Sequence, residues 1–207
     1  MRLWDISPPV SAASPVYPGD APYARRWTAH LGVDGAPANV SAITLSPHVG
    51  AHADAPLHYD DAGAAVGALD LAPFLGPCRV VHAIGCGALV TVEHLRHVAT
   101  GLPPRVLVRT CERAATAWTD DFAAFAPKAI EWLAARGVLL VGIDTPSVDP
   151  ASSLGLDSHH ALRRLNLRVL ENLVLDDVPE GDYELLALPL KLIDAEASPV
   201  RAVLRGP

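Results

Sequence analysis

Short apolar runs, cut by proline and glycine, dominate the chain from end to end. Leu3 to Ile6 reads as a first strand, stopped by Ser7-Pro8-Pro9, because proline fixes φ and removes a backbone donor. Val40 to Leu45 reads as a strand, and Cys78 to Ile84 as a β-rich run bounded by Gly76-Pro77 and Gly85. Arg105 to Arg109, with arginines framing Val106-Leu107-Val108, reads as another strand. Val138 to Ile143 is continuously apolar, the pattern of a strand covered on both faces. Arg168 to Leu170, Tyr183 to Leu188 and Val200 to Leu204 add three more strands. Helical patterns are fewer. Pro127 to Arg136 is the clearest, with proline near its start, Ile130 and Leu133 on one face, and Gly137 just past its end. Thr91 can cap a helix running to about His97, and Ser158 one running to about Leu165. Strands outnumber helices, and neither a repeat nor a glycine-rich phosphate loop is visible. The expected fold is therefore α/β, a single domain over residues 1–207 built on a mixed β-sheet with covering helices.

Composition narrows the class. Of the 207 residues 50% are hydrophobic, and the mean hydropathy of +0.25 is high for a soluble monomer. No uninterrupted apolar run of about 18 residues occurs, so no transmembrane helix is expected. The apolar surplus then points to subunit interfaces, and a homo-oligomer, in its simplest form a homodimer, is expected. The start carries no apolar signal segment, which places the chain in the cytoplasm. A net charge of -7 argues against nucleic acid, whose affinity rests on basic side chains neutralising phosphates. Cys78, Cys86 and Cys111 are odd in number and lack C-x-x-C spacing, so they read as reduced thiols and neither disulfides nor a zinc ribbon.

One stretch carries most of the chemistry: His48-Val49-Gly50-Ala51-His52-Ala53-Asp54-Ala55-Pro56-Leu57-His58. Imidazoles and a carboxylate crowded onto a turn at a strand end suit a divalent metal such as zinc. His48, His52 and Asp54 converge on one ion if Gly50 lets the backbone fold tightly, and the second oxygen of Asp54 can bridge to another. His58 then remains as a general acid/base beside an activated water. The competing reading is a polar loop with merely exposed histidines. A second ligand set must come from later in the chain. Glu171 interrupts an apolar stretch, where a lone carboxylate is costly unless it binds a cation or sits on a solvent face or in a salt bridge. Either His159 or His160, at the expected helix start, can supply an imidazole. Asp144 and Thr145 either orient a ligand histidine or only close the turn before Pro146. His30, His82, His94 and His97 lack clustered partners, and Ser46, Ser147 and Cys111 lie in no nucleophile elbow.

The stretch from His48 to His58 also resembles the signature of the metal-dependent cyclase-like hydrolases, and within them the bacterial kynurenine formamidases. The likeness extends through Leu3-Trp4-Asp5-Ile6-Ser7-Pro8-Pro9, Tyr17-Pro18-Gly19-Asp20, Gly142-Ile143-Asp144-Thr145-Pro146-Ser147, His159-His160, Leu170-Glu171-Asn172 and Ala187-Leu188-Pro189-Leu190-Lys191. It implies the swivelling β/β/α architecture. It implies two divalent metal ions, zinc first: His48, His52 and Asp54 on one, and Asp54, His159 and Glu171 on the other, with His159 preferred to His160 by its distance from Glu171. It also implies hydrolysis of N-formyl-L-kynurenine to L-kynurenine and formate, with His58 catalytic. Tyr17 stands where these enzymes usually carry a substrate-contacting tryptophan, and is expected to stack on the substrate ring. Two rivals remain at this level: a related hydrolase of a cyclic imide, lactone or other amide, and a metal-stabilised binding protein without catalysis.

Overall fold

A computed structural model describes residues 1–206 of the chain. Its strands are β1 (Arg2–Asp5), β2 (Ala24–Ala29), β3 (Val40–Thr44), β4 (His52–Asp54), β5 (Leu75–His82), β6 (Leu89–Val90), β7 (Arg105–Arg109), β8 (Ala124–Phe125), β9 (Leu140–Ile143), β10 (Arg168–Leu170), β11 (Gly181–Leu186), β12 (Ala197–Pro199) and β13 (Val203–Gly206). The α-helices are α1 (Val92–Leu95), α2 (Pro127–Ala134) and α3 (Asp157–Leu165). Seven strands make one mixed sheet in the order β1-β13-β11-β5-β7-β9-β10. The half from β5 to β10 is parallel, and the half from β1 to β5 is antiparallel.

Alternation along the central strands sends side chains into two cores. Val106, Val108, Val141 and Ile143 pack with Ile130 and Leu133 of α2 and Leu162 of α3. Cys78, Val80, Leu107, Leu140 and Leu170 face the other way and meet Ala51, Ala53 and Ala55 of the histidine-rich stretch. The sheet thus has the helices on one face and the histidine-rich stretch on the other. β7 lies where the strand was expected, both its faces are covered, and even Arg105 is buried. The Arg105 guanidinium is satisfied there by the carbonyls of Ala72, Pro73 and Pro77.

Two expectations are corrected. Ser158 does not cap α3; its hydroxyl donates to the Phe125 carbonyl at 2.8 Å. The cap is Asp149, whose carboxylate accepts the N–H groups of Ser158 (2.9 Å) and His159 (3.0 Å). The strand expected over Val200 to Leu204 begins only at Val203, and β2 was not legible at all. β2 pairs antiparallel with β3, and β3 is exposed along its whole length.

Candidate metal centre and active site

Backbone pairing builds the centre. β4 is held between β12, with Asp54 opposite Ala197, and Glu171, which exchanges both backbone hydrogen bonds with His52 at 3.2 and 3.0 Å. Opposed residues of an antiparallel bridge present their side chains to one face, and so do residues two apart on a strand. His52, Asp54 and Glu171 therefore point together, while the alanines at 51, 53 and 55 fill the core behind them. Glu171 follows directly on β10, at the C-terminal edge of the parallel strands, the usual place for a site in such sheets. His48 reaches the same spot through the turn at Gly50. That residue has φ +74°, and a Cβ there would lie 2.8 Å from Val10. His58 closes a 3-10 turn, Pro56–His58, and its ring centroid lies 4.4 Å from that of His48. His159 enters from the first turn of α3, whereas His160 is exposed and turned away.

Asp54 is the hub. Its Oδ1 lies 3.2 Å from His48 Nδ1 and 3.5 Å from His52 Nε2. Its Oδ2 lies 3.4 Å from His159 Nε2 and 3.9 Å from His58 Nε2. Glu171 spans the same two groups, with Oε2 3.2 Å from His52 Nε2 and Oε1 3.6 Å from His159 Nε2. Donors held ~2.0–2.1 Å from one tetrahedral ion stand roughly 3.3–3.4 Å apart, which is the spacing of these atoms. His52, Asp54 and Glu171 form one group of donors close enough to hold an ion, and His48, Asp54 and His58 another. Among the described residues, buried His52 Nε2 and Asp54 Oδ1 have no hydrogen-bond partner. Two desolvated polar atoms left unpaired cost several kcal/mol, about 1–3 each, and a cation between them removes that cost. The residues present fit a metal.

The remaining nitrogens are committed elsewhere. His52 Nδ1 donates to the Gly50 carbonyl at 2.9 Å, which leaves its Nε2 lone pair free. His159 Nδ1 donates to Asp149 Oδ2 at 2.7 Å, the carboxylate–histidine arrangement that fixes the tautomer of a metal ligand. Asp149, unnoticed in the sequence, takes the role considered for Asp144 and Thr145. Asp144 instead binds the Thr110 and Cys111 N–H groups and the Thr110 hydroxyl, and Thr145 donates to the Ala123 carbonyl.

Burial and neighbouring charges shift the protonation of these groups. Burial opposes the Asp54 carboxylate, yet the hydrogen bond from His159 and the closeness of the His48 and His52 imidazoles outweigh it and hold its pKa well below the usual range. Burial likewise opposes protonation of His48 and His159. Asp54 nevertheless raises His48 to about 9, and Asp149 and Asp54 raise His159 to about 10. His58 behaves differently: burial outweighs the pull of Asp54, and its pKa is lowered. It is unprotonated at neutral pH, as a base must be.

A cavity of about 420 Å³ opens onto His48, His58, His159 and Glu171. Tyr17 lines it, with its ring edge-on to Trp118 at 5.2 Å, and Trp118 meets Phe122 at 6.3 Å. Neither Trp118 nor Phe122 was singled out from the sequence. They lie in an irregular segment without periodicity, and the tryptophan itself was the one available signal.

A buried histidine–carboxylate cluster made for divalent metal, at the floor of an aromatic-lined cavity, is the equipment of a metal-dependent hydrolase. Residues 4–150 match the model of the Cyclase family, described as putative cyclase. The chain is 70% identical over 205 residues to the kynurenine formamidase of Bordetella pertussis, covering 99% of this chain and 98% of that protein. It is 67% identical to that of Delftia acidovorans, with the same coverage. Among solved structures, a potential metal-dependent hydrolase with cyclase activity superposes with a TM-score of 0.84 at 28% identity, covering 100% of this chain and 99% of that one. Isatin hydrolase A from Ralstonia solanacearum gives 0.78 at 25% identity, covering 98% and 91%. The chain belongs to the kynurenine formamidases of the cyclase family.

Proposed function

We propose that the protein hydrolyses N-formyl-L-kynurenine to L-kynurenine and formate, using two divalent metal ions, zinc in the first place. The observation that carries the metal reading is the pair of buried, unpartnered atoms His52 Nε2 and Asp54 Oδ1. The split of Asp54 between His48 and His52 on one oxygen and His159 on the other supports two ions. Mixed imidazole and carboxylate donors suit zinc. Identity near 70% to formamidases, against 25% to an isatin hydrolase, supports a formamide over a cyclic imide.

The bound metal supplies acidity to a water and polarises the formyl oxygen. The chain supplies everything else. His58, neutral because it is buried, takes a proton from the attacking water as oxygen bonds to the formyl carbon. It returns that proton to the arylamine nitrogen as the C–N bond breaks, so amine and formic acid form with His58 unchanged, and the acid leaves as formate after releasing its proton to solvent. Asp149 and the Gly50 carbonyl keep the His159 and His52 lone pairs turned inward. Tyr17 and Trp118 grip the ring, and the acyl side needs room only for a formyl group.

No helix among the described residues is long and apolar enough to cross a membrane. Three free cysteines suit a reducing cytoplasm. A two-stranded ribbon is marginal alone, and β2–β3 exposes Trp27, Val40 and Ile43, which supports a homodimer formed across it. The test of the activity is turnover of N-formyl-L-kynurenine before chelation, after it, and after readdition of zinc or manganese. Activity is expected to vanish and return; full activity in a preparation shown by elemental analysis to be metal-free overturns the reading.

A further inference from the structure

The reaction explains the metal cluster and the aromatic wall, but not Glu196. This residue precedes β12, and its carbonyl accepts the Ala55 N–H at 2.8 Å, which fixes it beside the end of β4. Its side chain is 39% exposed, lines the cavity, and brings Oε1 to 3.4 Å from His48 Nε2. His48 presents its other nitrogen, Nδ1, to Asp54. Once that lone pair holds a cation, the imidazole is neutral, and its Nε2–H offers Glu196 a hydrogen bond but no positive charge.

No other cation is at hand. Among the described residues no lysine or arginine pairs with Glu196 and none lines the cavity. The cavity wall carries a second carboxylate, Asp20, in the same turn as Tyr17, held by the Ser46 hydroxyl at 2.8 Å and likewise without a cationic partner. A substrate that covers such carboxylates removes their water, which is costly unless it brings a positive charge of its own. On formylkynurenine the only such charge is the α-ammonium. Its side chain is ortho to the formamide, so the ammonium lies beside the reacting group, on the rim of the cluster where Glu196 stands. The substrate carboxylate finds no basic side chain in the cavity and is left toward solvent.

We propose that Glu196 receives the α-ammonium group of the substrate's amino-acid tail and so selects formanilides that carry a primary ammonium. This rests on the formamidase reading and adds to it a residue that determines specificity. The experiment compares metal-loaded wild type with Glu196→Gln, after metal content has been measured in both. It uses N-formyl-L-kynurenine and 2-formamidoacetophenone, which keeps the ring, ketone and formamide but lacks the amino-acid tail. The ratio of kcat/KM between the two substrates should fall about tenfold or more in the variant, mainly through KM, the scale of one charge-assisted hydrogen bond. An unchanged ratio overturns the proposal, including the case where both substrates suffer equally, which makes Glu196 only a support for His48. Calorimetric binding of L-kynurenine and 2-aminoacetophenone to the same two proteins measures the preference without turnover. If wild type hydrolyses neither formamide but prefers L-kynurenine in a Glu196-dependent way, the hydrolase reading fails and this one stands.

Discussion

Asp149→Asn changes one atom of the centre's supporting shell and should cost both stability and metal. The carboxylate is buried and accepts three hydrogen bonds: Ser158 N–H at 2.9 Å, His159 N–H at 3.0 Å and His159 Nδ1–H at 2.7 Å. An amide has one acceptor oxygen. If its NH2 faces His159, it confronts a backbone donor and forces the ring to accept at Nδ1. The ring proton then moves to Nε2 and points at Asp54 and Glu171, where a lone pair is needed. If the amide flips, the ring keeps its tautomer and the buried Ser158 N–H loses its partner. Either way one buried donor is unsatisfied, and a negative charge is gone from a helix N-terminus. The sum is roughly 2 kcal/mol, or about 4–8 °C in Tm for a chain of this size. The metal held by His159 should bind about 10–100-fold more weakly. Scanning calorimetry of the metal-free protein reads the first effect, and titration from a metal buffer reads the second. A Tm unmoved and two metals bound at wild-type affinity would refute the argument that Asp149 fixes this histidine.

Three other outcomes follow from the same geometry. His58→Ala should keep its bound metal and lose about 10²-fold or more in kcat; loss of metal instead makes His58 a ligand, as its place beside His48 and Asp54 allows. Tyr17→Ala and Trp118→Ala should each raise KM for formylkynurenine more than they lower kcat, because a ring platform grips ground state and transition state alike; unchanged kinetics in both would remove the platform from the account. The metal-free protein should lose stability as pH rises. His48 and His159 titrate near 9 and 10 in the fold against 6.5 unfolded, so their stabilisation is complete below about pH 6.5 and is lost through pH 9 to 10. Metal affinity should climb over the same window as protons are displaced, and a Tm that rises there contradicts the sign.

Much of the fold was readable because single strands announce themselves locally. Val138 to Ile143 showed an unbroken apolar run, and it became β9, buried on both faces. Arg105 to Arg109 was legible as a strand, though the burial of Arg105 was not. Its arginines imitate solvent positions, but Arg105 is folded under the Ala72–Pro73 turn, a partner supplied by another segment. β2 gave no signal because an Ala-Arg-Arg-Trp-Thr-Ala ribbon buries almost nothing within its own chain. Ser158 was the nearest capping side chain in sequence, but the cap comes from Asp149, across a turn that no local pattern reveals.

The centre divides along the same line. The alternation Ala-His-Ala-Asp-Ala already sorts ligands from core, because period two is a property of the strand itself. What no local pattern could supply is the use of each histidine's second nitrogen. His52 is fixed by Gly50 from its own turn, His159 by Asp149 from the loop before α3, and His48 meets Glu196 from beside β12. Only the first lies within the motif. Glu196 reaches His48 through the pairing of β12 with β4, and Asp149 reaches His159 across the loop that precedes α3, so the orientation of these imidazoles is a product of the assembled fold. Backbone hydrogen bonds, with no ion needed to explain them, turn His52, Asp54 and Glu171 to one face. Metal should therefore bind a folded site and tighten it, in contrast to small zinc domains whose fold is made by the metal.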